Sequence, residues 1–260
     1  MLLAIDIGNS AVKFGVFAEQ ALVGHWRMTT EVNKTADEFG LSMLGLLACA
    51  KIGPGDISAI MLSSVVPSLD SVFSAVTQRF FGRSPCFVTA ESDTGLRLAY
   101  TKAAELGADR LVNAAAAYAR YRSDLIVVDF GTATTFSLVS ADGCFLGGAI
   151  ASGVATAADA LFRRAARLPN AELTAPPAVI GTDTLSSLRS GLVLGHAGMV
   201  DTLVRRMQAE LQRSTHVVAT GGLSGVIVPI SQTIQEVRPL LTLEGLELLY
   251  RRARQSQPNS

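Results

Sequence analysis

The sequence predicts an α/β protein with two similar halves, each built around a mixed sheet of parallel and antiparallel strands. One observation is a doubled hairpin pattern, in which an apolar strand runs into Asp, Gly and small polar residues, at 2–17 and again at 125–139. A second is the order of elements, since both halves run strand-strand-strand-helix-strand-helix. A third is that the first strand–helix junction lacks G-x-G-x-x-G and the chain has no G-x-x-x-x-G-K-[ST] loop. Together they favour mixed sheets over a singly wound nucleotide-binding fold.

In the first half, short apolar runs separated by turn residues predict the strands, and a longer run with helical periodicity predicts the first helix. Gly and Pro residues at 53–55 end that helix. After the hairpin at 2–17, the predicted elements are a strand at 21–28, a helix at 35–51, a strand at 59–66, a helix at 68–81 and a strand at 86–90.

In the second half, an alanine-rich run predicts a helix from Arg110 to about Arg122. The second hairpin follows, and a turn at 141–143 leads into the next strand. The remaining predicted elements are a strand at 144–150, a long helical block, a strand at 216–222 and a helix at 243–254. We expect an N-terminal domain at 1–115, a C-terminal domain at 116–254 and a disordered tail at 255–260.

Composition excludes several classes of function. Hydrophobic residues make up 49% and charged residues 17% of the 260 positions, which is typical of a globular protein with a large core. The 22 basic and 22 acidic residues cancel, so there is no broad attraction to nucleic acid or to a membrane surface. Three isolated cysteines lack metal-ligand spacing. We expect a cytoplasmic protein, because the first residues have no basic segment of a signal peptide and no apolar run reaches the length of a membrane span.

The two hairpins predict a phosphate-binding site. A turn made of Gly8, Asn9 and Ser10 lets phosphate oxygens approach backbone N–H groups, and residues 131–135 offer the same surface. Asp6 and Asp129 precede these turns, where a cation bound with the phosphates would lie. A single Asp-x-Gly is more simply explained as a turn cap, but two equivalent copies favour a ligand. Lys13 fits either a phosphate contact or a solvated strand face.

The start of the alanine-rich helix predicts a reactive centre. Asp109 alone would be read as a helix N-cap. Arg110, however, is a cation at a helix N-terminus, where cations are disfavoured, and this position is better explained if it binds a ligand anion such as a carboxylate. Near the positive end of the helix, Asp109 should stay ionised and be a weak base. Phosphoryl transfer tolerates this, because the attacking hydroxyl needs orientation more than early deprotonation.

Six segments resemble the type III pantothenate kinases in order and spacing, over residues 2 to about 250. They are DIGNS, LGADR, DFGTATT, GGAIASG, IGTDTLSSLRSGLVLG and VVATGGLSGVI. D-x-G-N is shared by the whole superfamily of sugar kinases, actin and heat-shock chaperones, whereas G-A-D-R with D-x-G-T-A is more specific. The resemblance implies two ribonuclease-H-like (actin-like ATPase) domains with mixed five-stranded sheets and an ATP cleft between them. It also implies phosphorylation of pantothenate by ATP, the first step toward coenzyme A.

The resemblance assigns roles to residues of this chain. Asp109 matches the proton acceptor, and Asp129 matches the ligand of a monovalent cation, potassium or ammonium. Family members also require magnesium, and from the position of Asp6 before its turn we expect this carboxylate to organise magnesium, directly or through water. Residues 219–222 look like the glycine turn on the adenosine side. The family is homodimeric, with ATP and pantothenate as substrates. The ATP contacts implied are Asp6, Ile7, Gly8, Asn9, Ser10, Ala11, Val12, Lys13 and Thr132, and the pantothenate contacts are Tyr100, Gly107, Ala108, Asp109, Arg110 and Thr184.

Three residues depart from the family pattern. Ala103 and Ser152 stand where proline is usual, and Asp183 stands where asparagine is usual. They motivate two alternatives: a catalytically weak homologue that serves as a nucleotide-binding regulatory scaffold, and a kinase of another small hydroxyl compound. The remaining candidates, His25, His196, His216 and Trp26, are interpreted as structural.

Overall fold

The computed structural model describes residues 1–165 and 168–256 of the 260-residue chain. Packing divides it into two units. The first contains residues 1–96 and 101–116 together with the chain from 241 onward, and the second contains 97–100 and 117–240. The final helix therefore packs with the first unit, whereas the sequence analysis assigned it to the second half. The predicted domain boundaries, 1–115 and 116–254, stay a prediction.

The described residues contain eleven strands and eight α-helices. The strands are β1 (Leu2–Ile7), β2 (Ala11–Ala18), β3 (Ala21–Thr29), β4 (Ala59–Ser64), β5 (Cys86–Phe87), β6 (Arg97–Leu98), β7 (Leu125–Phe130), β8 (Ala133–Val139), β9 (Cys144–Ser152), β10 (His216–Thr220) and β11 (Glu236–Val237). The α-helices are α1 (Ala36–Cys49), α2 (Pro67–Phe81), α3 (Ala108–Tyr121), α4 (Val154–Arg164), α5 (Thr184–Arg189), α6 (Gly195–Leu211), α7 (Ser224–Ile227) and α8 (Leu241–Ser256). A π-helical turn, Ser190–Leu194, joins α5 to α6.

The first unit has a five-stranded sheet in the order β3-β2-β1-β4-β5. The hairpin strands pair antiparallel, and β1, β4 and β5 run parallel. One face packs against α1 and α2 in a core that includes Ile5, Phe14, Phe39 and Phe73. The other face carries α8, whose Leu243 side chain lies against Gly15 of β2.

The second unit repeats this arrangement and adds a strand. Its order is β11-β10-β7-β8-β9-β6, so β9-β8-β7-β10-β11 corresponds to the five strands of the first unit. The expectation of five strands holds for the first sheet, but the second has six because residues 97–98 pair in parallel with β9. The mixed α/β architecture with two mixed sheets is confirmed.

Two predicted segments differ from the structure. The long helical block is interrupted, because α4 ends at Arg164 and, among the described residues that follow it, the next helix begins at Thr184. Prolines at 169, 176 and 177 explain part of this interruption, since proline lacks the N–H that a helix interior needs. Of the predicted tail, residues 255–256 belong to α8, and 257–260 lie outside the described residues. In the part of the chain that is described, no helix has the length and apolar character required to cross a bilayer.

Candidate active site

The first hairpin forms a tight turn with a small polar surface. The N–H of Gly8 donates to the carbonyl of Ala11 at 3.1 Å. Directly after β3, the hydroxyl of Thr30 donates to the carbonyl of Gly8 at 2.6 Å, and the Thr30 N–H donates to the carbonyl of Ser10. Asn9 and Ser10 are exposed at the tip. Short side chains therefore leave this backbone accessible to a ligand, as predicted for a phosphate-binding turn.

Asp6 and Lys13 lie opposite each other at the base of this turn. They are partners in the β1–β2 register, and the Lys13 Nζ is 3.8 Å from Asp6 Oδ2. The Asp6 residue is 5% exposed, and the Lys13 side chain is partly buried. Lys13 is thus not on a fully solvated strand face: its charge is held beside the carboxylate that precedes the turn.

Asp109 lies in the first turn of α3 and is not its N-cap, because the helix begins at Ala108. Its Oδ1 accepts a hydrogen bond from the Arg110 N–H at 2.7 Å. A Cβ on Gly107 would lie 2.7 Å from the same oxygen and 3.7 Å from a methyl group of Val65. Because residue 107 is a glycine, the Asp109 carboxylate has room beside Val65, the residue that follows β4.

Burial raises the pKa of Asp109 above its ordinary value of 3.8. The hydrogen bond from the Arg110 backbone and the charges of Arg110 and Lys13 act in the opposite direction but do not outweigh burial. The sequence predicted a weak base, because positive charge at the helix N-terminus lowers a carboxyl pKa. This prediction is wrong, because desolvation of the Asp109 carboxylate raises its pKa more than the nearby positive groups lower it. A raised pKa makes Asp109 a stronger proton acceptor.

Arg110 and Asn113 complete the polar part of this helix. Arg110 is 6% exposed and Asn113 is 2% exposed. The Oδ1 of Asn113 accepts a hydrogen bond of 2.8 Å from the hydroxyl of Thr242 in α8. The first two turns of α3 are thereby fixed against α8 within the first unit.

The second hairpin resembles the first, but its turn is one residue shorter: Phe130 pairs with Thr134, whereas Ile7 pairs with Val12. The N–H of Gly131 donates to the carbonyl of Ala133 at 3.0 Å, as Gly8 does to Ala11. The carbonyl of Thr132 accepts from the N–H of Gly153 at 3.0 Å and from the hydroxyl of Thr156 at 2.6 Å. Gly131 and Thr132 are exposed. Both turns thus begin with a glycine whose N–H bonds to the start of the second strand, as the doubled pattern predicts, but the bond spans three residues in the first turn and two in the second.

A glycine turn packs directly against Asp129. Thr220 and Asp129 are partners in the β10–β7 register. Gly221 follows with a φ of +93°, and a Cβ there would lie 2.4 Å from Asp129 Oδ1 and 2.5 Å from the Phe130 nitrogen. Sequence reasoning assigned the 219–222 turn to the adenosine side, but it missed this contact with Asp129. The two glycines at the end of an apolar strand were the available signal.

The predicted pantothenate residues fall in both units. Gly107, Ala108, Asp109 and Arg110 belong to the first unit. In the second unit, the Tyr100 ring packs edge-on against Phe145 with 6.0 Å between centroids. Thr184 is the first residue of α5 and lines a cavity of about 560 Å³. The other residues lining this cavity are Leu161, Leu168, Gly181, Thr182, Asp183, Ser187, Leu188, Gly191 and Leu192.

The substitution at 183 has a structural explanation. Asp183 is the N-cap of α5, where its Oδ1 accepts from the N–H of Ser186 at 2.9 Å. The backbone and hydroxyl hydrogen bonds of Ser186 lower the pKa of Asp183. Ala103 begins a 3₁₀ turn, and Ser152 is the exposed last residue of β9. Nothing in the structure explains the loss of proline at these two positions.

No group of three or more His, Cys, Asp or Glu side chains within 1–165 and 168–256 is arranged to hold a metal ion. A divalent cation at Asp6 would therefore take most of its ligands from phosphate oxygens and water, as Mg²⁺ does at kinase sites. The buried carboxylate of Asp6 fits such a role. His196 is structural, as interpreted: its Nε2 lies 2.9 Å from the Thr134 hydroxyl, and burial lowers its pKa.

Comparisons with known proteins agree with the resemblance found in the motifs. The family model for type III pantothenate kinase matches residues 2–206. A type III pantothenate kinase of Desulfatibacillum aliphaticivorans is 48% identical over 257 residues, which cover 98% of this chain and all of that protein. One from Desulfosudis oleivorans is 47% identical over 250 residues, covering 96% and 98%.

Solved structures support the fold alone. A Campylobacter jejuni protein described as a Baf family transcriptional activator aligns with a TM-score of 0.63 and 19% identity, over 97% of this chain and 99% of that one. The ROK hexokinase of Thermus thermophilus aligns with a TM-score of 0.53 and 12% identity, over 98% of this chain and 99% of that one.

Full-length sequence similarity together with the family match shows that the chain belongs to the type III pantothenate kinase family.

Proposed function

We propose that this chain is a kinase that transfers the γ-phosphoryl group of ATP to the primary alcohol of pantothenate, giving 4′-phosphopantothenate in the first step of coenzyme A biosynthesis. The observation that carries the proposal is the Asp109 carboxylate, which the Arg110 N–H holds at 2.7 Å in the first turn of α3 and whose pKa burial raises. Its place within L-G-A-D-R, in a chain that belongs to this family, supports pantothenate as the acceptor.

The phosphates of ATP bind the hairpin turns. The backbone of residues 6–13 and the exposed Thr132 offer donors without bulky side chains, and Lys13 adds a positive charge. Phosphoryl transfer depends mainly on such positioning and on electrostatic stabilisation, since the transition state is loose. In both turns the side chains are small enough for a phosphate to come close to the backbone, and this supports the assignment.

The acceptor binds around the start of α3. Arg110 pairs with the carboxylate of pantothenate, because a guanidinium binds carboxylates through two parallel hydrogen bonds. Asp109 accepts the proton of the attacking hydroxyl and aligns it with the γ-phosphorus. Tyr100, Gly107, Ala108 and Thr184 are the further pantothenate contacts that the family resemblance implies.

Two cations complete the site. Asp6 organises Mg²⁺, directly or through water, and Asp129 binds K⁺ or NH₄⁺. When bound, these ions offset the negative charge of the triphosphate in a site whose own side chains include aspartates. Family membership also supports a homodimer, which light scattering tests: the expected mass is about twice 27.3 kDa.

A coupled assay with purified protein tests the proposal. ATP, Mg²⁺, K⁺ and pantothenate together should yield ADP and phosphopantothenate, and omission of K⁺ should lower the rate. Nucleotide binding without product would support the regulatory scaffold instead. Turnover with a different hydroxyl compound, but not with pantothenate, would support a kinase of other specificity.

A further inference from the structure

Ser63 of β4 lies in line with Asp6 of β1 and Lys13 of β2 across the first sheet. In the parallel β1–β4 register Ser63 is the partner of Asp6, and in the antiparallel β1–β2 register Asp6 is the partner of Lys13. Registered partners on adjacent strands point to the same face, with the strands about 4.8 Å apart. The Asp6 carboxylate therefore lies between the ammonium group of Lys13 on one side and the hydroxyl of Ser63 on the other.

The hydroxyl of Ser63 is buried and has no hydrogen-bond partner among the described residues. Ser63 is 0% exposed, and its Oγ is satisfied by no protein group in 1–165 or 168–256. Buried polar atoms are nearly always paired, so an exception calls for an explanation. The next residue provides a contrast: the Oγ of Ser64 accepts a hydrogen bond of 3.2 Å from the N–H of Val66.

The surroundings of Ser63 indicate what its hydroxyl serves. The opposite face of the sheet is apolar and packs against α1 and α2, as Leu62 does. The face of Ser63 carries Asp6 and Lys13, and the charge of Lys13 also acts on Asp109. The chain just beyond β4 reaches the first turn of α3, where Val65 would contact a Cβ on Gly107. Ser63 thus lies on the face that carries α8, at the end of that face where Asp6 and Lys13 stand.

We propose that Ser63 is a positioning residue for Asp6. In the state with bound Mg²⁺ and ATP, its hydroxyl donates a hydrogen bond to the Asp6 carboxylate and fixes the orientation of that carboxylate toward the cation. A carboxylate accepts about four hydrogen bonds, so Ser63 and Lys13 can both act on it. This inference rests on the proposed function, because it takes Asp6 as the group that organises Mg²⁺.

The test compares Ser63→Ala with Ser64→Ala. ATP binding is titrated by calorimetry at increasing Mg²⁺, and the melting temperature is measured without ligand. Ser63→Ala should need about tenfold more Mg²⁺ for half-maximal ATP binding, the effect of one lost hydrogen bond to a charged group. Its melting temperature should be unchanged or higher, because a buried unpaired hydroxyl is removed. Ser64→Ala should show the opposite pattern, with normal Mg²⁺ dependence and a lower melting temperature.

Ser63→Cys nearly preserves the shape but donates hydrogen bonds only weakly, so it should behave like Ser63→Ala. An unchanged Mg²⁺ dependence in both Ser63 variants would overturn the inference while leaving the proposed function intact. If the wild-type protein itself bound ATP without any effect of Mg²⁺, the role of Asp6 and the role of Ser63 would both be rejected.

Discussion

At the scale of single residues, the burial of Asp109 has opposite consequences for stability and for catalysis. A carboxylate whose pKa is raised by desolvation destabilises the folded chain when it is ionised, yet the same shift brings its basicity closer to that of a useful proton acceptor. The group is retained in a position that costs stability, which is typical of functional sites.

The substitution Asp109→Asn separates these effects. We expect turnover to fall by about 10²–10⁴-fold, the usual contribution of a positioned general base. ATP affinity should stay near the wild-type value, and the melting temperature at neutral pH should be equal or higher. Steady-state kinetics, calorimetry and a thermal melt measure the three quantities. Full turnover in the variant would remove Asp109 from this role.

The pH dependence of turnover gives a second prediction. Asp109 accepts a proton only when ionised, so the rate should decline on the acid side at a higher pH than an aspartate of pKa 3.8 would give. The charge of Lys13 lowers this pKa, and Lys13→Gln should therefore move the decline to still higher pH. Turnover measured at saturating substrates over a series of pH values from acid to neutral checks it. A decline at the same pH in both proteins would contradict the charge coupling.

Motifs located Asp6, Asp109 and Asp129, but they could not give the environment of each carboxylate. Whether desolvation or nearby charge dominates depends on groups that are distant in sequence, such as Lys13 for Asp109. For the same reason the contact of Gly221 with Asp129 was not foreseen, because it arises from the pairing of β10 with β7.

At the scale of elements, the second hairpin depends on the residue that follows β9. A Cβ at position 153 would lie 2.3 Å from the Gly131 carbonyl oxygen and 2.6 Å from the Thr132 oxygen. Both are backbone atoms, so the hairpin itself would have to move to relieve the overlap.

We therefore expect Gly153→Ala to raise the KM for ATP at least about tenfold, since small displacements of a positioning group have large kinetic effects. The control is Gly198→Ala in α6, where a Cβ meets nothing within 4 Å. That change should leave KM unaltered and stabilise the helix by about 1 kcal/mol. An unchanged KM in Gly153→Ala would show that the turn tolerates the displacement.

Asp201 of α6 holds the turn before β11. It is 5% exposed, and its carboxylate accepts hydrogen bonds from the backbone and hydroxyl groups of Ser231, Gln232 and Thr233. Burial acts to raise its pKa, but these hydrogen bonds together outweigh burial and the pKa is lowered.

Asp201→Ala should lower the free energy of unfolding by about 2 kcal/mol, because buried donors lose their acceptor. In the wild-type protein this contribution is present above the unfolded pKa and is lost as pH falls through the lower folded value. Denaturant unfolding at neutral pH and near pH 3 measures both effects. A difference between the two proteins that persists unchanged in acid would contradict the assignment.

Among the elements, the hairpins and long helices were predictable because their periodicity is local. The strand predicted at 86–90 is present as β5 but is only two residues long. The two-residue strands β6 and β11 carry too few residues for a pattern, and β6 pairs only with the edge that β9 offers. The break between α4 and α5 was signalled by prolines at 169, 176 and 177, which the apolar content of the surrounding residues obscured.

At the scale of the whole molecule, two units with the same strand arrangement follow from the doubled Asp-x-Gly pattern. The sequence could not show where α8 packs, because its apolar residues require only some covering surface. In the structure Leu241, Leu243, Leu246 and Leu249 are buried, and the helix contacts β1, β2 and β4. A Cβ on Gly245 would lie 2.6 Å from Val112 of α3, so the two helices pack closely.

A chain that ends at Leu240 should therefore fail to form a stable first unit. Each buried leucine of α8 contributes about 2 kcal/mol, and its loss also exposes the apolar face of β1 and β4. We expect low soluble yield and no cooperative melt of the first unit, measured by circular dichroism. A truncated chain that melts like the full one would refute this packing argument.

The placement of α8 also sets an order for biosynthesis. The strands of the first sheet leave the ribosome before those of the second sheet, but the helix that covers them is translated only after every residue of 97–240. Since chains emerge at about 5–20 residues per second, the nascent polypeptide carries an uncovered apolar surface for several seconds or longer. Chaperones that bind such surfaces should therefore associate with the earlier half of the chain, while the later half is the first to reach its finished form.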